Sequence, residues 1–76
     1  MPHYRLRKPD DFQGKEDKHC HQATIEGALA DFGHQLGLIL ELDGAVMNYV
    51  LYERPEGESN FKNAESWPVS IAKAQT

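Results

Sequence analysis

The chain has 76 residues and a mass of 8.6 kDa, with 39% apolar and 26% charged residues; that is the balance of one small globular domain and excludes wholesale disorder, a collagen-like repeat or a coiled-coil rod. Twelve acidic residues against eight basic give a formal net charge of -4 and a pI near 5.4, so direct nucleic-acid binding, which needs clustered Lys and Arg, is not expected. A domain this short buries only about 60% of its unfolded surface, and its single cysteine, Cys20, cannot form an internal disulfide, so close packing, a metal or a partner chain has to support the core.

Residues 3–8 alternate, with Tyr4 and Leu6 on one face and His3, Arg5 and Arg7 on the other, which predicts a short half-buried strand. Pro9 to Gly14 is rich in turn formers and ends it. Ile25, Leu29, Phe32 and Leu36 then recur at spacings of four, three and four, within about 60° of one another on a helix. Acidic Glu16 and Asp17 suit the positive end of a helix dipole, and Gly37 stands where a left-handed C-terminal cap belongs. The expected helix covers residues 17–36.

Leu38 to Leu42 is read as a strand and not as a continuation of the helix, because continuation buries Gly37 in a helix interior at a cost of about 1 kcal/mol. Asp43-Gly44 between two apolar runs is a strong hairpin signal, so residues 38–53 are expected to form a hairpin. Residues 60–76 carry Phe61, Trp67, Val69 and Ile71 without a clean period and predict a short C-terminal helix or arm; Pro68 keeps Trp67 out of helical geometry. The fold class is therefore α+β: a small single-layer sheet in β-α-β-β order packed on one amphipathic helix, as a single domain over residues 1–76.

Apolar runs such as Leu38-Ile39-Leu40 are far short of the roughly 20 residues a membrane span needs, and Met1 to Arg5 lack the apolar core of a signal peptide. With a lone thiol and no Asn-x-Ser/Thr site, a cytoplasmic, reducing location is expected. No cofactor is expected. Lys18-His19-Cys20-His21 contains zinc-type donors, and His3 and His34 are further imidazoles, but adjacent residues diverge by about 100° on a helix, so no metal site is expected. Cys20 has no marked base or oxyanion site beside it and reads as a small semi-buried side chain. Gly33, Gly37 and Ala30 form a small-residue strip, read as tight helix-on-sheet packing.

Charge is local: residues 21–60 carry seven acidic groups against Arg54 alone. Glu41, Asp43, Glu53, Glu56 and Glu58 are expected to form an acidic rim, and Tyr49, Tyr52 and Trp67 to belong to an apolar sheet face left open by the single helix. Such a face marks association, and an acidic rim selects basic partners. These features point to a small non-catalytic protein-binding module, self-associating as a dimer or bound to a larger protein. A phage-type inhibitor or regulator of a host nucleic-acid-processing or defence complex would fit it.

A second reading comes from a resemblance. Met1-Pro2-His3-Tyr4 opening a strand, Gly14-Lys15-Glu16-Asp17 before an amphipathic helix that closes on Leu36-Gly37-Leu38, and a strand ending Glu53-Arg54-Pro55-Glu56 resemble the 4-oxalocrotonate tautomerase family over residues 2–56. The resemblance implies an oligomeric tautomerase or isomerase in which Pro2, freed by removal of Met1, is the general base and Lys15 holds the substrate carboxylate. Asn48 falls near the family's second arginine, and Phe61 near its aromatic pocket residue.

Overall fold

The computed structural model describes residues 1–42, 46–58, 60–61 and 64–75. Five strands and one helix follow in the order β1 (His3–Arg7), β2 (Lys18–His21), α1 (Ile25–Leu36), β3 (Leu38–Glu41), β4 (Tyr49–Arg54) and β5 (Glu65–Ala74). The strands form one antiparallel sheet in the order β2-β1-β4-β5-β3. The arrangement is α+β, but the helix follows β2, so the β-α-β-β order is replaced by two strands, the helix and three strands. No helix among the described residues is long and apolar enough to cross a membrane.

Three local expectations are corrected. The helix starts at Ile25, not at residue 17, because its apolar period begins there and Thr24 caps it: Thr24 Oγ1 accepts a hydrogen bond from the Gly27 N–H at 3.0 Å. Lys18 to His21 instead alternate as a strand, with Cys20 buried and His19 and His21 exposed. Gly14 to Asp17 therefore precede β2 and do not open the helix. At the other end the cap is as expected, with Gly37 at φ 70° and its N–H donating to the carbonyls of Gly33 and His34.

The 38–53 hairpin is also replaced. Both runs are strands, but β3 pairs with the far half of β5 and β4 with its near half, so β5 lies between them; Asp43-Gly44 lies outside the described residues. The C-terminal segment is a ten-residue strand and not a helix or arm. Its burial does not alternate cleanly: Trp67 and Val69 pack on the core, the adjacent Ser70 is also buried and Ile71 is exposed, and beyond them the β3–β5 register shifts between Ile71 and Lys73. Pro68 falls where β5 has only β4 beside it, a position that tolerates the missing N–H. Asn48 extends β4, its N–H donating to Val69 O and its Oδ1 accepting from the Ile71 N–H, each at 3.0 Å.

Tyr4, Leu6, Cys20, Ala28, Phe32, Leu40, Leu51 and Val69 form the core. The helix closes over one face of the sheet; of the small-residue strip Gly33 is tightly packed, since a Cβ there would collide with the Leu38 carbonyl oxygen, whereas Gly37 has open space around it and Ala30 is exposed. Among the described residues no helix lies over the other sheet face.

Candidate functional site

Strand alternation dictates what the open face carries. With Tyr4, Leu6, Cys20 and Leu51 turned to the core, β1 presents His3, Arg5 and Arg7, β2 presents His19 and His21, and β4 presents Val50, Tyr52 and Arg54. Register sets His3 between His21 and Arg54, and Arg5 between His19 and Tyr52. The result is a histidine, arginine and aromatic cluster on a chain of net charge -4. This corrects the apolar sheet face expected from sequence: Tyr52 and Val50 are present, but guanidinium and imidazole groups dominate.

His3 stacks on His21 with ring centroids 4.6 Å apart, shares a 2.9 Å hydrogen bond between its Nε2 and Nδ1 of His19, and meets the Phe61 ring edge-on at 5.0 Å. The Arg5 guanidinium carbon lies 4.4 Å from the centroid of Tyr52 and 4.5 Å from that of Phe61, a cation–π arrangement that restrains the side chain. Arg7 is held by Asp17 through contacts of 2.8, 2.9 and 3.2 Å, and Asp17 also stands 3.8 Å from Arg5 Nε. Gly14, at φ 70°, leaves room for this pair, since a Cβ there would lie 2.6 Å from both Arg7 Nη2 and Asp17 Oδ2. Burial, and then the charges of His21, Arg54, His19 and Arg5, hold the His3 imidazole below its ordinary pKa.

Of the expected acidic rim, Glu41 is set apart from Glu53. Glu53 accepts a 2.5 Å hydrogen bond from the Tyr4 hydroxyl, Glu56 pairs with the Met1 ammonium, and Glu58 stands exposed in the following loop. Glu41 pairs in register with Ser70 and Glu53 with Glu65, which separates the two by about 17 Å along β5. Asp43 lies outside the described residues. Tyr49 and Trp67 pack against the core, while Tyr52 is on the open face. Pro2 and Lys15 are not brought together either. Pro2 precedes β1 and its carbonyl accepts from the Gln22 N–H, while Lys15 follows Gly14 beside Arg7 at the other end, more than about 13 Å away along the strand. Asn48 serves the sheet, and Phe61 covers Arg5 and His3.

A second surface was not foreseen. α1 and β3 run back from the Gly37 turn and leave a groove of about 500 Å³ lined by Leu29, Ala30, Leu38, Leu40 and Leu42, with Glu26 and Glu41 as its charged residues. Among the described residues β3 has β5 on one side and no strand on the other. The sequence signal was Glu26 preceding Leu29 and Ala30 by three and four positions, which puts all three on one helix face.

Cys20 faces the core while His19 and His21 face out, so the donors of this run point to opposite sides of β2. Burial, with Asp31 nearby, pushes the Cys20 thiol up to about 11. At pH 8 the folded protein is therefore expected to react with iodoacetamide at least tenfold more slowly than the urea-unfolded chain, measured by intact mass; equal rates would contradict the burial of this thiol. No protein-family model, curated protein or solved structure matches this chain.

Proposed function

We propose that the chain is a non-catalytic protein-binding module that holds an extended apolar segment with basic flanks, taken from a partner protein, along the free edge of β3. The reading is supported above all by one observation: among the described residues an apolar groove lies beside an edge strand, and the charged residues lining it, Glu26 and Glu41, are acidic. A strand added at such an edge gains main-chain hydrogen bonds, alternate side chains enter the groove, and complementary charge selects the partner. A module of this kind regulates or inhibits the protein whose segment it captures.

The test uses a labelled heptapeptide with alternating valines and terminal lysines. Binding is expected to fall about tenfold when Glu26→Lys and Glu41→Lys are combined, and to be lost when the peptide is N-methylated at alternate residues, which removes strand hydrogen bonds and keeps the side chains. Equal binding of a peptide with glutamates in place of lysines, or indifference to N-methylation, would reject the reading. Dimers that dissociate on Glu41→Lys would show a second copy of the chain at this edge instead.

A further inference from the structure

The open sheet face is remote from the β3 groove, and its chemistry is of the opposite sign. Three guanidinium groups, Arg5, Arg7 and Arg54, stand there with three imidazoles, and the carboxylate in contact with them is Asp17, already engaged by Arg7. Among the described residues, His3 Nδ1, Arg5 Nε and Arg54 Nε are buried without a hydrogen-bond partner. Buried polar groups are seldom left unmatched, because each has lost its water partners without a replacement. All three such nitrogens belong to this one cluster.

We infer that the face formed by His3, Arg5, His19, His21 and Arg54 is a binding site for phosphate groups. Arg5 and Arg54 are diagonal neighbours on β1 and β4, roughly 7–8 Å apart at that register, close enough for both forks to reach one phosphate. Arg5 is pre-positioned by Tyr52 and Phe61, and Arg54 stands 5.7 Å from the same Phe61 ring. A planar fork held in advance loses less freedom on binding than a free side chain does. The rings place aromatic surface beside the phosphate site, a combination that suits nucleotides. A local cationic face on an acidic protein also explains how phosphate recognition is compatible with a net charge of -4.

The groups around His3 set the pH dependence. It faces His19 and His21 from β2, Arg5 on β1, Arg54 from β4 and the ring of Phe61. In the free protein burial and these cations oppose its protonation. A bound phosphate reverses part of that opposition, so binding takes up protons and tightens as the pH falls.

The phosphate could belong to a free nucleotide or to a single-stranded nucleic acid, and two probes distinguish these. AMP and a thymidine octanucleotide are titrated into the intact protein while the histidine ring and arginine Nε resonances are followed by NMR. Shifts are expected at His3, His21, Arg5 and Arg54. Affinity for the octanucleotide, whose phosphodiesters do not titrate in this range, is expected to rise about tenfold from pH 7.5 to pH 5.5. Octanucleotide binding that is much tighter than AMP binding and falls steeply with salt identifies a strand as the source; equal or tighter binding of AMP identifies a free nucleotide. Arg54→Ala should weaken either probe about tenfold. His3→Gln should flatten the pH dependence, with circular dichroism showing that the protein stays folded. The inference is overturned if neither probe at 5 mM and pH 5.5 moves these resonances, or if Arg54→Ala and folded His3→Gln bind as the unaltered chain does.

Discussion

Phe32→Ala is expected to remove a large share of the unfolding free energy and to move the urea midpoint sharply down. Phe32 is fully buried, as are Ala28 of the same helix and Tyr4, Leu6, Leu51 and Val69 of the sheet. Removing its ring costs about 3–5 kcal/mol in lost transfer energy and residual cavity. A chain of this size has roughly 4–11 kcal/mol of total stability, so one side chain supplies a large share of it. Urea unfolding followed by circular dichroism measures the loss. Phe32→Leu keeps most of the volume and should remain folded with a loss of about 1.5 kcal/mol. Phe12→Ala, where the ring is 89% exposed, should change stability by less than about 0.5 kcal/mol. Equal midpoints for Phe32→Ala and Phe12→Ala would refute the core described above.

Asp17→Ala should destabilise the fold by about 3 kcal/mol. Its carboxylate is 9% exposed, the side chains of Arg5 and Arg7 are 15% and 24% exposed, and removing it leaves two part-buried guanidinium groups with an unpaired charge. An exposed pair such as Lys8–Glu16, at 3.1 Å with side chains 45% and 65% exposed, should by contrast contribute under about 1 kcal/mol. The cost at Asp17 comes mainly from the stranded partners. Combining Asp17→Ala with Arg7→Leu should therefore cost less than Asp17→Ala alone. Stability additive across that double-mutant cycle would show that the two residues are not coupled.

Several elements were legible in the sequence because their causes are local. The Ile25, Leu29, Phe32 and Leu36 period predicts the helix face, Gly37 its left-handed cap, and the alternation of residues 3–8 the inward Tyr4 and Leu6 of β1. The helix start was misread because the acidic Glu16 and Asp17 resemble a helix N-terminus, whereas the decisive cue, Thr24 one residue before the period, is the true cap. Cys20 between two histidines carries the strand alternation in only one apolar residue, too short a run to be distinguished from a helix start. Of the candidate site, the outward His3, Arg5 and Arg7 were visible from alternation; their meeting with His19, His21, Arg54 and Phe61 was not.

Net charge illustrates the same division. Composition correctly describes an acidic chain, but an average over 76 residues says nothing about where the charges meet. By itself the sequence determined the helix face, its C-terminal cap, the inward residues of β1 and the extended geometry at Trp67, since steric limits and side-chain periodicity act within a few residues. The tertiary structure alone decided that β3 pairs with β5 across the sheet, that Glu41 stands apart from Glu53, and that histidines and arginines from β1, β2 and β4 gather on one open face. Those outcomes depend on strand register between segments far apart in the chain, where a shift of one residue turns every side chain to the opposite face.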